Sequence, residues 1–153
     1  MNAEEAIREY LPTGNVMQLA TSVDGQPWVC TVHFYSDDNL NLYWISMPDR
    51  RHSKEITQNP KVAATIMVHE NTKDEPYVIG ITIEGTAEFI GEYANEQIGK
   101  GYVEKHHIGP EFLSDIQSGK NPNKFYKLKP SNIVMFNNKD FPDNPRQEWT
   151  PTS

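Results

Sequence analysis

The sequence predicts a mainly β fold, a small antiparallel barrel of six or seven strands with helices at its periphery. Short apolar runs recur along the chain, turn-forming residues separate them, and helical patterns follow the ends of strands. The 153 residues are enough for one domain with one sizeable core. No internal repeat or linker divides the chain.

The first half of the chain opens with a predicted helix and continues with strands. Apolar residues on one face predict an amphipathic helix over residues 3–11, and Pro12 ends it. Asp24-Gly25 is a strong signal for a tight turn between two strands. The strands predicted in this half cover residues 16–22, 27–35 and 40–46.

The second half combines longer strands with further helices. Asn59-Pro60 ends a short helix that follows the third strand. Gly80 and Gly85 lie inside the longest predicted strand, where a glycine often marks a bulge or a bend. Pro130 is expected to separate the last two strands. The predicted strands are 62–68, 77–90, 125–128 and 133–136, and the predicted helices are 92–106 and 110–117.

The domain is predicted to cover residues 1–136. The segment 137–153 contains three prolines and no hydrophobic period, which predicts an extended C-terminal tail.

The charge balance limits the classes of partner. The chain has 21 acidic and 14 basic residues, a formal net charge of -7. This argues against general nucleic-acid binding and against a polybasic membrane-surface role, because both need a basic face. Cys30 is the single cysteine, so no disulfide forms within the chain, and a reducing compartment is indicated. Neither a spanning apolar run nor a signal peptide is present, so we expect a cytoplasmic protein.

The segment 46–60 is the most informative stretch. Its predicted helix carries Arg50, Arg51 and Lys54 in the first turn, although cations are usually placed at the C-terminal end of a helix. Cations together with unpaired N–H groups indicate an anion site, and phosphate is the usual ligand. The alternative is a solvated basic face.

Aromatic residues are concentrated on the strands that bracket this helix: Trp28, Phe34, Tyr35, Tyr43 and Trp44. They are consistent with a wall for a planar phosphorylated ligand, or with ordinary core packing. Ser46 ends its strand just before the basic helix, where its hydroxyl is either a phosphate donor or a turn residue.

Other chemistries find no support in the sequence. The five histidines have no ligand spacing, which argues against a metal site. No nucleophile motif, phosphate-binding glycine-rich loop or dinucleotide fingerprint is present. Cys30 lies in the middle of a predicted strand and is interpreted as an inert buried thiol.

The order of these features resembles the pyridoxamine 5'-phosphate oxidase-like family of flavin-binding split barrels. The resemblance covers roughly residues 1–136. The segments that carry it are Trp28–Phe34, Leu42–Ser46, Arg51–Lys54, Asn59–Val62 and Ile83–Gly85.

The resemblance implies a homodimer with FMN at each end of the subunit interface. It implies that Arg51 and Lys54 hold the FMN phosphate with help from serine hydroxyls, and that the second strand lines the isoalloxazine ring. Trp149 is a candidate lid contributed by the partner subunit. The residues assigned to the cofactor on this basis are Cys30, Thr31, Val32, His33, Ile45, Ser46, Arg51, Ser53, Lys54 and Trp149.

The chain departs from the true oxidase at the substrate side. The C-terminal Arg-x-His motif of the oxidase is absent, and Gly80 stands where the oxidase has a glutamine that faces the flavin. Trp28 and His33 stand near the places of an arginine and a lysine of its second strand. Flavin binding is therefore implied more strongly than oxidation of pyridoxamine phosphate.

The resulting hypothesis is a small FMN-dependent oxidoreductase that acts on an unknown small substrate and uses a nicotinamide or another small reductant. One alternative is a flavin-binding protein without turnover that serves in storage, stress response or sensing. Another is a split barrel that binds a different planar anionic ligand, such as haem or a deazaflavin.

Overall fold

Eight strands form one curled antiparallel sheet in the computed structural model, which describes residues 1–152. The strand order is β2-β1-β5-β6-β7-β4-β3, and β8 also pairs with β7. The edge strand β2 approaches β4, so that the curled sheet forms a split barrel. The strands are β1 Val16–Val23, β2 Gln26–His33, β3 Tyr35–Ser36, β4 Leu42–Ser46, β5 Lys61–His69, β6 Ile79–Gly91, β7 Lys124–Asn137 and β8 Arg146–Trp149.

Four helices lie outside the sheet in the described part of the chain: α1 Ala3–Tyr10, α2 Arg51–Gln58, α3 Glu96–Lys105 and α4 Glu111–Ser118. The predicted mainly β barrel with peripheral helices is confirmed. The tight turn between β1 and β2 is also confirmed, because Asp24 and Gly25 have φ of 52° and 79°, as a two-residue hairpin turn requires.

The predicted separation of the last two strands is wrong, because β7 continues through Pro130. On one edge, β4 pairs with residues 124–128 and β8 pairs with residues 133–136, so Pro130 falls between two partners. On the other edge, the register of β6 shifts at Gly85. A Cβ atom at Gly85 would collide with the Lys129 carbonyl oxygen, so this bulge requires glycine.

Other boundaries also differ from the prediction. The strand predicted over 27–35 stops at His33, because the chain switches there to the two-residue strand β3, which pairs with β4. Helix α3 begins at Glu96 rather than at residue 92, because the Asn95 side chain caps it. The predicted tail 137–153 contains strand β8, and Ser153 lies outside the described residues.

The core lies between the inner faces of the strands and α1. Phe34, Trp44 and Tyr126 are among its largest fully buried side chains. Most of the bracketing aromatics therefore serve core packing, whereas Trp28 on β2 is 41% exposed. No helix within residues 1–152 is long and apolar enough to cross a membrane.

The outer face of the sheet carries an apolar row. Val16, Met67 and Phe136 are exposed large hydrophobic residues on β1, β5 and β7. Gly80 of β6 pairs with both Met67 and Phe136, so these residues are neighbours across the sheet. We refer to Val16, Met67, Gly80 and Phe136 as the apolar row.

Candidate functional site

An open cleft of about 460 Å³ lies where β2 approaches the end of β4. Helix α2 contributes its N-terminus to the cleft, and α3 closes another side. This volume falls within the range of small-molecule sites. The lining residues are Thr31, Val32, His33, Ile45, Ser46, Met47, Arg50, His52, Tyr102 and Asn123.

The turn between β4 and α2 brings positive charge to this cleft. Arg50 is the N-cap residue of α2, and no side chain caps the helix. The N–H groups of the first turn therefore lack the partner that an Asn, Asp, Ser or Thr cap supplies. Arg50 also lines the cleft, and its guanidinium makes no ion pair within residues 1–152. This arrangement suits an anion.

Ser46 and His52 form a hydrogen-bonded pair in the wall of the cleft. The Ser46 Oγ and His52 Nε2 atoms lie 2.8 Å apart, and both side chains are buried. Burial lowers the pKa of His52, the nearby Arg50 charge lowers it further, and Glu55 opposes this. His52 is therefore mainly neutral at neutral pH, and its Nε2 either donates to or accepts from the serine hydroxyl.

Arg51 lies on a different side of α2 from His52. Its Nε donates to Glu55 Oε2 at 2.8 Å, and its guanidinium lies 4.1 Å from the centre of the Trp28 ring. The Thr21 hydroxyl donates to Glu55 at 2.7 Å. The hydrogen bond from Arg51, followed by that from Thr21, lowers the pKa of Glu55. Arg51 thus ties α2 to β2.

The remaining predicted residues of α2 occupy two environments. Lys54 is exposed and makes no ion pair within the described chain. Ser53 is only 1% exposed, and its hydroxyl has no hydrogen-bond partner within residues 1–152. Neither residue lines the cleft directly, although both lie in or next to the first turn of α2.

Helix α3 supplies the opposite wall. Tyr102 is buried, and burial raises its pKa to about 12, so its hydroxyl stays protonated and can donate. His106 Nε2 lies 2.7 Å from the Phe34 carbonyl oxygen, and its ring meets that of His33 edge-on at 5.0 Å. The Lys105 ammonium lies 4.0 Å over the Phe34 ring without a hydrogen-bond partner in the described chain, and burial lowers its pKa to about 8.

The structure brings together part of the predicted residue set. Thr31, Val32, His33, Ile45 and Ser46 all line the cleft. Cys30 instead faces the barrel interior, where it packs against the core and burial raises its pKa to about 11. Trp149 lies on β8 near Arg8, in a separate cleft.

Met47, His52, Tyr102 and Asn123 line the cleft but were not predicted from the sequence, whereas Arg50 was predicted as part of the anion site without being assigned to the cofactor. One signal was available for His52. It precedes the buried Ile56 by four residues, so helical periodicity places it on the inward face of α2. Within residues 1–152, no three His, Cys, Asp or Glu side chains are grouped to hold a metal ion.

Comparison with protein families supports the resemblance seen in the sequence. The family described as pyridoxamine 5'-phosphate oxidase matches residues 3–136 of the chain. No protein with curated annotation matches the sequence.

Solved structures show the same fold at low sequence identity. A haem binding protein from Mycobacterium smegmatis has a TM-score of 0.72 at 15% identity, over 99% of this chain and 59% of that protein. The haem storage protein HutZ from Vibrio cholerae has a TM-score of 0.63 at 21% identity, over 85% and 91% of the two chains. An FAD-binding protein from Mesorhizobium loti has a TM-score of 0.57 at 22% identity, over 87% and 90%. The fold is therefore shared by structures named for haem and for flavin.

Proposed function

The chain belongs to the pyridoxamine 5'-phosphate oxidase family, and from this premise we propose that it is a homodimeric FMN-binding oxidoreductase acting on a small substrate. The observation that carries the proposal is the convergence of Arg50, the uncapped N-terminus of α2 and the Ser46–His52 pair in one cleft. A charged guanidinium, free backbone N–H groups and a serine hydroxyl line the same cleft, and each of these groups can donate a hydrogen bond to a phosphate.

The phosphate is proposed to bind between Ser46 and the first turn of α2. Arg50 supplies a full positive charge, and the first-turn N–H groups supply aligned donors. Arg51, Ser53 and Lys54 remain part of the proposed phosphate site because they lie on the first turns of the same helix. The unpartnered Ser53 hydroxyl supports this assignment, because a buried hydroxyl without a partner is costly.

The flavin ring is proposed to lie along β2. Among residues 1–152 this strand pairs with β1 alone, so its other edge is available to a ligand at Thr31–His33. Val32, Ile45 and Met47 add apolar surface for a planar ring. FMN would supply the redox chemistry when bound, while the protein supplies position and electrostatics. The Tyr102 hydroxyl, protonated at neutral pH, is available as a donor to the ligand.

The apolar row supports the proposed homodimer. Soluble monomers rarely expose a contiguous apolar patch of large side chains, and an isologous interface would cover this one twice. Val16 of the apolar row pairs with His33 of β2, which lines the cleft, and the exposed Val29 lies on the same face of β2 as His33. The proposed interface therefore lies beside the proposed cofactor site. A role of Trp149 as a lid on the partner's cofactor is part of the same proposal.

The test is FMN binding to the purified protein, followed by visible absorption and gel filtration with light scattering. We expect retained flavin and twice the chain mass of 17.5 kDa. Arg50→Ala is expected to raise the FMN Kd at least tenfold, because a charge-assisted contact is worth roughly 1.5–3 kcal/mol. Lys73→Ala, in an exposed loop, is the control and should leave Kd unchanged. A protein that fails to bind added FMN would overturn the proposal.

Haem is a second candidate ligand. His33 and His52 both line the cleft, and imidazole is a common axial ligand of haem iron. Titration with haemin in the same assay separates the two ligands. A Soret band that is lost in His33→Ala, together with no retention of FMN, would favour haem.

A further inference from the structure

The Ser46–His52 pair is a polar arrangement inside the proposed phosphate site. Ser46 is 8% exposed and His52 is 8% exposed, so neither side chain exchanges its partner freely with water. The 2.8 Å separation requires one hydrogen, which comes either from the serine hydroxyl or from the imidazole. The direction of this hydrogen bond decides what Ser46 can offer to a ligand.

The two directions have opposite consequences. If His52 Nε2 accepts, the Ser46 hydroxyl proton points at the imidazole and the serine presents only lone pairs to the cleft. If Nε2 carries a proton, it donates to Ser46 Oγ and the hydroxyl proton turns toward the cleft. A phosphate repels lone pairs and attracts an O–H, so it favours the second arrangement. Protonation of His52 enforces that arrangement and adds a positive charge.

The charged groups around His52 determine whether it takes up a proton when a phosphate binds. Burial lowers the pKa of His52 most, the Arg50 charge lowers it further, and Glu55 raises it; a phosphate bound next to Arg50 would offset the Arg50 charge. On β4 the hydroxyl of Tyr43 donates to Asp37, and on β1 no side chain titrates. The titratable and charged groups on α2, in the turn before it and on the strands packed against it are Asp49, Arg50, Arg51, Lys54, Glu55, Cys30, His33, Glu84 and Glu88; Tyr102 of α3 lines the same cleft, and Lys124 of β7 pairs with Ser46.

We propose that His52 is a positioning residue that couples phosphate binding to proton uptake through Ser46. The inference rests on the proposed FMN function. When the phosphate dianion enters the site, His52 takes up one proton from solvent, Nε2 donates to Ser46 Oγ, and the serine hydroxyl donates to a phosphate oxygen. No covalent bond forms or breaks apart from the proton transfer to His52. FMN affinity therefore rises as the pH falls toward neutrality.

The experiment measures the FMN Kd of the full chain by fluorescence quenching from pH 8.5 to 6.5. We expect the wild-type Kd to fall about tenfold over this range, the equivalent of a shift of one pKa unit. His52→Gln keeps a side-chain donor for Ser46 but does not titrate, so its Kd should change less than about twofold. Riboflavin, which lacks the phosphate, is the matched ligand and should show no pH dependence with either protein.

A second measurement does not depend on the variant. Calorimetric titration of wild-type protein with FMN, in two pH 7 buffers of different ionisation enthalpy, counts the protons exchanged on binding. We expect net uptake. The FMN phosphate cannot supply this signal, because its second pKa near 6 makes it release protons on binding as a dianion.

The outcomes separate the two proposals. FMN binding with no proton uptake and equal pH profiles for wild type and His52→Gln would overturn the role of His52 and leave the flavin proposal standing. Absence of FMN binding at every pH would overturn both. A uniform loss of affinity in His52→Gln with an unchanged pH slope would show a packing role only, and would also overturn the inference.

Discussion

The N-termini of α1 and α2 differ in how the unpaired backbone N–H groups of the first turn are satisfied. In α1, the Asn2 side chain accepts from the Glu5 N–H, the Glu5 side chain accepts from the Asn2 N–H, and the first turn is acidic. In α2, no side chain caps the helix and the first turn contains no acid. The arrangement at α1 stabilises the helix, because the capping box pairs the backbone N–H groups and the acidic residues interact favourably with the positive end of the helix dipole. The arrangement at α2 lacks this stabilisation. It is typical of a helix N-terminus whose free N–H groups bind an anion from outside the chain.

Converting the α2 terminus to the α1 pattern is expected to have the largest effect. Arg50→Asn should stabilise the protein by about 0.5–1 kcal/mol, because asparagine caps the helix. The same change should weaken FMN binding at least tenfold, since the charge is lost. Arg50→Ala is the matched control, because it removes the charge without adding a cap. Urea denaturation and FMN titration of both variants measure the two effects separately. A stabilised Arg50→Asn that binds FMN as well as wild type would contradict the comparison.

Lys105 is a cation at a helix C-terminus, in contrast to Arg50 at the N-terminus of α2. Lys105 lies in the last turn of α3, where the dipole favours it, but its ammonium is buried over the Phe34 ring without a hydrogen-bond partner in the described chain. Burial lowers the folded pKa to about 8, while the unfolded pKa is about 10.4. Below pH 8, Lys105 is charged in both states, so the folded state is destabilised by the full free energy of burying the charged ammonium. This destabilisation decreases as the pH rises toward about 10.4, where the ammonium loses its proton in both states. Lys105→Met should stabilise the protein by about 1 to 2 kcal/mol below pH 8, allowing for partial solvent screening.

Denaturation at pH 7 and pH 10 checks the Lys105 prediction. The exposed Lys100 on the same helix provides the control, because Lys100→Met should show almost no difference between the two pH values. Equal stabilisation by Lys105→Met at both pH values would point to better apolar packing instead of relief of a buried charge.

The smallest effect is expected at the α1 terminus itself. Asn2→Ala removes the capping box and should cost about 1 kcal/mol or less, because the site is exposed and only one helix end is affected. FMN affinity should not change. Thermal unfolding and the FMN titration together test this, and a loss of affinity would show that α1 and the cleft are coupled.

Much of the fold followed from local patterns. Alternating apolar residues and the Asp24-Gly25 turn were enough for β1 and β2, because a two-residue turn and a period of two define a hairpin. The continuity of β7 through Pro130 could not be predicted in this way. The strand accommodates Pro130 because this residue lies between the stretch that pairs with β4 and the stretch that pairs with β8, and this position is a property of the assembled sheet.

The candidate site was predictable on the strand side and less so on the helix side. Ser46 and Thr31–His33 lie on strands whose ends and faces can be read from the sequence. On α2, successive side chains differ by about 100° around the axis, so the choice between Arg50, Arg51 and His52 depends on the exact start of the helix. Tyr102 and Asn123 reach the cleft from distant parts of the chain, and no local spacing connects them with Ser46.

The pairing of β8 with β7 has a consequence for solubility. Between Ile133 and Phe136, the edge of β7 opposite β6 pairs, within the part of the chain that the structure describes, with the four residues of β8. An uncovered strand edge presents a row of unsatisfied N–H and C=O groups and is a template for pairing with another chain. By covering this edge, the short strand β8 is expected to prevent edge-to-edge pairing with another chain. A chain shortened before Arg146 would expose that template next to the hydrophobic side chain of Phe136.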